Sequence, residues 1–235
     1  MSDVLIFGAN SAIACALAER YAREGYRTVG VGRASDAPAA YDQYYTCDYT
    51  EAALADVVNQ LRLGEVKPQV VVSCIGTLHG DELAPEKRLE ALSADSLGHY
   101  FFVNSIIPAL LLKQLSAILS GVDSPKVAFL SAQVGSIGDN HLGGWYGYRA
   151  SKAALNMLVK TAAIELARRH KGICVLALHP GTTRSPLSAP FTERVPTQRL
   201  YSPEVSAERL FTVLCSSGAE SNGEFLHWSG ERLPW

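Results

Sequence analysis

The sequence predicts a three-layer α/β fold: a doubly wound parallel sheet of about seven strands with helices on both faces. Two observations lead there. Short apolar runs alternate with stretches of helical periodicity along the chain, the pattern of successive strand–helix–strand units. The runs are continuously apolar, as strands covered on both faces must be. With 235 residues and 48% hydrophobic content, the chain has enough apolar material for one such core. It is read as a single domain over residues 1–235.

The elements follow in order. Residues 4–7 read as the first buried strand, and the turn Gly8-Ala9-Asn10-Ser11 leads into a helix marked by Ile13, Leu17 and Tyr21. Gly25 ends that helix. Residues 27–31 and 44–47 read as the second and third strands, and residues 51–63 as a helix. A fourth strand at 70–73 precedes a long helix over 94–119. Strands at 127–131, 173–178 and 224–227 complete the sheet, with a helix over 148–170 between the first two. No repeat or low-complexity linker divides the chain.

Composition narrows the function classes. Lys+Arg 21 against Asp+Glu 23 leaves no basic excess for a nucleic acid, so none is expected as partner. The start lacks the charged and long apolar regions of a signal peptide. The longest apolar run, 106–112, contains Pro108 and is too short to span a bilayer, so no membrane partner is expected. The five cysteines show no CxxC spacing and read as reduced thiols of a cytoplasmic protein. The six histidines form no HxxxH or HxH pair, and no metal site is expected.

The most informative pair is Tyr148 and Lys152, in the run Tyr146-Gly-Tyr-Arg-Ala-Ser-Lys-Ala-Ala-Leu155. A spacing of four stacks them on one helix face. An ammonium beside a phenol favours the phenolate, so the pair can exchange a proton with a carbonyl or alcohol oxygen near neutral pH. By itself Tyr-x-x-x-Lys also occurs on ordinary solvated helix faces.

Ligands of an open parallel sheet bind beyond the carboxyl ends of its strands. The first such end offers Gly8, Asn10, Ser11 and Ile13. Gly8 permits a tight exit, Asn10 or Ser11 can cap the helix, and the exposed N–H groups there can receive a pyrophosphate. The same turn also fits an ordinary strand-to-helix connection. The second strand ends Gly30-Val-Gly-Arg33, with a guanidinium and no acid, although Asp36 lies further along the loop. Arg33 suits a ribose 2′-phosphate, so NADP(H) is expected over NAD(H), which remains possible. Asp48, after the third strand, can accept from an adenine amine, cap the next helix or form the turn before it.

With these pieces in order, the chain resembles the short-chain dehydrogenase/reductase family over nearly its full length. It is most similar there to the small C-factor-like and sniffer-like carbonyl reductases. The segment from Gly135 through Asn156 and the ending Gly223-Glu-Phe-Leu-His-Trp-Ser-Gly230 carry most of the match. The resemblance implies a Rossmann-type fold and NAD(P)-dependent hydride transfer between cofactor and a small-molecule carbonyl or alcohol. It makes Tyr148 the acid/base and Lys152 the ribose ligand that tunes it. His179-Pro180-Gly181-Thr182-Thr183 resembles the loop contacting nicotinamide amide and phosphates. Gly76 matches the family turn after the fourth strand. Asn104 matches the asparagine that holds a water in the proton relay, and Pro108, lacking an N–H, leaves the Asn104 carbonyl free in a regular helix. A homodimer or homotetramer through the two long helices is likewise implied.

Three departures stand out. Ala12 and Ala14 occupy positions where glycines are usual, and Phe7 replaces a threonine. Ser73-Cys74-Ile75 replaces the family's Asn-Asn-Ala. The serine that holds the substrate oxygen falls at Ala132, so Ser131, nearer the strand end, is expected to substitute ahead of Ser136. One missing oxyanion-type donor costs on the order of 100-fold in rate. A catalytically weak, NADP-binding regulatory or signalling protein is therefore the alternative. Residues 182–205, rich in Ser, Pro, Thr and Arg, are expected to form a substrate lid, with Leu187, Phe191, Leu200 and Trp145 as an apolar lining.

Overall fold

A computed structural model gives the structure and describes residues 2–80, 82–119, 121–193 and 195–235. In chain order its elements are β1 (Asp3–Phe7), α1 (Ala12–Arg23), β2 (Arg27–Gly32), β3 (Gln43–Thr46), α2 (Glu51–Leu63) and β4 (Pro68–Ser73). Then come α3 (Ala94–Phe101), a π-helical turn (Phe102–Ile106), α4 (Ile107–Ile118), β5 (Lys126–Leu130), α5 (Tyr146–Arg169) and β6 (Cys174–His179). The two-residue strands β7 (Thr182–Thr183) and β8 (Leu200–Tyr201), α6 (Pro203–Ser216) and β9 (Phe225–His227) follow.

All seven main strands run parallel in the order β3-β2-β1-β4-β5-β6-β9. The chain winds outward from β1 to β3 and then returns to place β4 beside β1. That reversal opens a crevice above the carboxyl ends of β1 and β4. Strand pleating divides the core: Leu5 and Phe7 join α2, α4 and α5 on one face, while Val4 and Ile6 join α1 and α6 on the other. Each of these side chains is fully buried, and each such burial contributes about 1.5–3 kcal/mol.

The seven expected main strands are present, with ends differing by one or two residues. The expected continuous helix over 94–119 is interrupted. Pro108 has no N–H for the carbonyl four residues back, and the ladder slips just before it, so Ile107 N–H bonds the Phe102 carbonyl five residues back. The rod Ala94–Ile118 is long and apolar enough to cross a bilayer, against the expectation from the apolar runs alone. In the fold it serves as a core helix, with Tyr100, Leu111 and Leu115 fully buried. Helix α5 starts at Tyr146, two residues before the expected start. Helix α6 was not among the expected elements; Ser202 caps it and Pro203 opens it, so the stretch expected as a lid already turns helical there. Arg194, within that stretch, lies outside the described residues.

Candidate active site

Tyr148 and Lys152 lie one turn apart near the start of α5, both buried. Lys152 Nζ donates to the Leu130 carbonyl at 2.9 Å and stands 5.9 Å from the centre of the Tyr148 ring. Burial depresses the ammonium to about 8, with the nearby Cys74 thiol acting in the opposite direction. Burial raises the Tyr148 phenol above its ordinary value, and Tyr100 adds to the rise. In this geometry the ammonium is engaged by Leu130, and desolvation dominates the phenol. The stacking expected from the spacing is present; the expected lowering of the phenol is not.

Asn104, fully buried in the π-helical turn, connects this helix to the crevice. Its Oδ1 accepts Thr77 N–H at 2.8 Å, and its Nδ2 donates to Thr77 O and Ser151 Oγ, each at 3.0 Å. Ser151 Oγ in turn donates to the Tyr148 carbonyl at 2.9 Å, and Ser105 Oγ donates to the Ser151 carbonyl at 2.7 Å. Asn104 thus fixes both the loop after β4 and the turn of α5 that carries Tyr148 and Lys152.

An apolar chamber surrounds Tyr148. Leu78, Leu83 and Tyr100 pack there with Ala132, Val134, Trp145 and Phe191. The Trp145 ring lies edge-on to both Tyr148, at 6.1 Å, and Phe191, at 5.1 Å. His79 meets Phe191, and its Nε2 lies 3.0 Å from the Pro186 carbonyl, joining the loop after β4 to the segment after β7. The serines flanking Ala132 are engaged elsewhere. Ser131 Oγ donates to Asn156 Oδ1 at 2.6 Å, while Ser136 Oγ accepts Asp139 N–H and donates to the Trp235 carbonyl. Of this stretch, Ala132 and Val134 are the residues whose side chains pack in the Tyr148 chamber.

At the crevice, Ser11 rather than Asn10 caps α1, accepting Ala14 N–H at 3.2 Å. The N–H groups of Ala12 and Ile13 have no partner among the described residues. Asn10 Oδ1 instead takes Tyr44 O–H and Ala34 N–H. Gly8, at φ +74°, passes so close to β4 that a Cβ would meet the Cys74 carbonyl carbon at 2.9 Å. Tyr49 holds this turn, accepting Gly8 N–H and donating to Val31 O, both at 2.8 Å. A cavity of ≈ 660 Å³ opens beside it, lined among others by Arg33, Gly76, Thr77, His79 and Val103. A Cβ on Gly76 would come 3.3 Å from Lys152 Nζ and 3.4 Å from Asn104 Oδ1, so this glycine keeps the floor open to both groups.

Two expected ligands are otherwise occupied. Asp48 Oδ1 accepts both the N–H and the hydroxyl of Thr50, the turn-forming role, and these bonds hold its carboxyl below the usual range. Thr183 Oγ1 pairs with Ser206 of α6 at 2.6 Å. Pro180, Gly181 at φ +81° and Thr182 follow the carboxyl end of β6, where a Cβ on Gly181 would meet Trp228. Free helix-start amides, the glycine floor, an exposed guanidinium and a cavity of this size suit a phosphate-bearing dinucleotide. The sequence reading missed Tyr49, Tyr100, Ser151 and Glu86. Ser151 alone carried a signal, being three residues from Tyr148 on the same helix.

Fold and site together define an open α/β protein built around a dinucleotide-type crevice. The family model for short chain dehydrogenase matches residues 2–196, and the chain belongs to that family of oxidoreductases. It is 29% identical to 1-hydroxy-2-glutathionyl-2-methyl-3-butene dehydrogenase of Rhodococcus sp. (strain AD45) over 240 residues, covering the whole of both chains. It is 32% identical to C-signal of Myxococcus xanthus over 138 residues, 57% of this chain and 76% of the relative. Among solved structures it is similar to carbonyl reductase Sniffer of D. melanogaster, with a TM-score of 0.85 at 20% identity over both full chains.

Proposed function

We propose that this chain is an NADP(H)-preferring carbonyl reductase of its family, acting on a hydrophobic or aromatic carbonyl compound or the corresponding alcohol. The observation that carries the reading is the Tyr148 phenol, set in an apolar chamber with Lys152 one turn away. When bound, the nicotinamide supplies or accepts the hydride.

The chain's own residues do the rest. The turn with Gly8, Asn10, Ser11 and Ile13 receives phosphate, Arg33 pairs with a 2′-phosphate, Asp48 borders the adenine, and Gly76 leaves room for the cofactor beside Lys152. Pro180, Gly181, Thr182 and Thr183 border the nicotinamide end. Tyr148 gives a proton to the carbonyl oxygen or takes one from the alcohol. Lys152 restores that proton from solvent through a water that Asn104 holds, while Ala132 offers the substrate oxygen no donor and the Ser131 hydroxyl expected to replace it is held by Asn156. Residues 182–205 cover the chamber as a lid, a reading supported by the His79–Pro186 contact. The Rhodococcus relative is by name a dehydrogenase of a hydroxy compound, in keeping with CH–OH chemistry.

A second reading, a weakly catalytic regulatory protein of the same fold, is favoured by Ala132 in the chamber where the family serine stands, and by the likeness to C-signal. The homo-oligomer is proposed through the long helices, where Phe102, Ile106, Met157 and Ile164 are exposed. A cytoplasmic setting accords with five free thiols.

Titration with NADPH and NADH, followed by absorbance of the nicotinamide band over a panel of aldehydes, ketones and diketones, tests the reading. Binding with carbonyl-dependent oxidation, lost in Tyr148→Phe while cofactor still binds, is expected. Binding without turnover would favour the regulatory reading, and no binding would sink both.

A further inference from the structure

Helix α5 begins without a cap of its own. Trp145, its N-cap residue, sits in the left-handed region at φ 53° and offers no side-chain hydrogen bond. Four N–H groups at the start of a helix need partners, and a 24-residue helix concentrates positive potential there. Tyr148 is the third residue of that first turn.

Glu86 supplies what the helix lacks. It comes from the loop between β4 and α3 and is 4% exposed. Its main-chain carbonyl accepts Trp145 N–H, and its Oε2 accepts Gly147 N–H at 3.0 Å. Its Oε1 is buried with no hydrogen-bond partner among the described residues. A Cβ on Gly147 would lie 2.9 Å from that Oε1 and 3.1 Å from Tyr100 Cε2. Only glycine therefore lets the carboxylate, the Tyr100 ring and the helix start come together. A buried carboxylate oxygen without a partner is costly, and its retention beside the residue preceding Tyr148 calls for a reason.

We infer that Glu86 is a positioning residue for Tyr148: its buried carboxylate caps the first turn of α5, fixes the backbone that carries the phenol, and balances the positive helix end beside it. This rests on the proposed role of Tyr148 as acid/base. The titratable groups facing this pocket are Tyr100 from α3, Lys152 from α5 and Glu86 itself, with His79 behind Phe191. Burial first, and the Glu86 charge second, push the Tyr100 phenol up to about 12, while the Tyr148 phenol is raised by burial and by Tyr100. Removing the charge leaves the helix end uncompensated and favours the Tyr148 phenolate.

Three variants test it: Glu86→Gln keeps an oxygen for Gly147 N–H but not the charge, Glu86→Ala removes both, and Tyr148→Phe identifies the phenol. The first readout is Gly147 amide exchange in the protein without substrate. Glu86→Ala should speed it at least tenfold, and Glu86→Gln should restore most of the protection. The second is the pH profile of carbonyl reduction, which needs protonated Tyr148. In Glu86→Gln its alkaline limb should move down by about half a unit to one unit. Should Glu86→Ala fail to fold, the Glu86→Gln pH profile decides alone. Unchanged exchange in Glu86→Ala, or an alkaline limb that stays in place in Glu86→Gln, would overturn the assignment. Wild type that binds cofactor but reduces no carbonyl would instead overturn the functional reading, while the amide and an ultraviolet tyrosinate titration of wild type minus Tyr148→Phe still test Glu86.

Discussion

Lys152 donates through Nζ to the carbonyl of Leu130 at 2.9 Å, the last residue of the strand that leads to Ala132. This bond ties α5 to the sheet, but it uses a cation that burial disfavours. The ammonium is depressed from 10.5 to about 8, so the unfolded chain holds this proton more tightly than the folded one. Stability therefore rises with pH between the two values and is penalised by a constant amount below about 8. Lys152→Met removes the penalty. Its stability relative to wild type should be highest near pH 7, by on the order of 3 kcal/mol less the lost hydrogen bond, and should fall away toward pH 10.5. Denaturant melts of both proteins across that range check it; a pH-independent difference would mean that burial does not depress this ammonium.

The tyrosine that braces the phosphate turn gives a second expectation. Tyr49 hydroxyl joins Gly8 N–H to Val31 O across two strands, with the residue itself in the left-handed region at φ 66°. Tyr49→Phe leaves Gly8 N–H without this partner, at about 1–3 kcal/mol if it stays dry, while Val31 O keeps Ala9 N–H at 3.0 Å. We expect a lower Tm and NADPH binding weakened several-fold, with kcat at saturating cofactor little changed. Unaltered Tm and Kd would show that Tyr49 only fills space.

Arg33 is exposed at the mouth of the cavity, where a ribose phosphate would stand. A guanidinium pairs bidentately with a phosphate, and an aspartate repels one. Arg33→Asp should weaken NADPH on the order of 100-fold and NADH by less than about threefold. Calorimetric titration with each cofactor separates the outcomes, since an equal loss of both would move the 2′-phosphate away from Arg33.

Much of this was legible in the sequence because buried parallel strands announce themselves as continuous apolar runs. Leu5 and Phe7 needed no partner to be recognised as core. The ends of strands were less legible, because a ladder ends where its neighbour does. The π-helical turn before Pro108 required knowing how the helix ladder adjusts to a missing N–H. Glu86 and Tyr49 reach Gly147 and Gly8 across 61 and 41 residues, a distance over which local periodicity carries no signal. Ser131 was decided by the pleat. As the strand leaves the sheet, successive side chains turn to opposite sides, and the hydroxyl met Asn156 while Ala132 met the chamber.

That last point yields the most direct test of the chemistry. Ala132 has extended backbone, φ −145° and ψ 145°, which serine adopts without strain, and its methyl already packs against the cluster that contains Tyr148. A hydroxyl placed there would face the same chamber as the phenol and donate to a carbonyl oxygen as charge develops on it. Ala132→Ser should therefore raise kcat for carbonyl reduction, by about tenfold to 100-fold if the missing donor limits the rate. Cofactor affinity should stay within about twofold, because the group meets substrate oxygen rather than nucleotide. Ser131→Ala serves as its counterpart: with its hydroxyl held by Asn156, it should lower Tm and leave the substrate oxygen's environment alone. Steady-state rates of both variants on one ketone decide the matter. A rate unchanged by Ala132→Ser but abolished by Ser131→Ala, with Tm intact, would return the oxygen-holding role to Ser131.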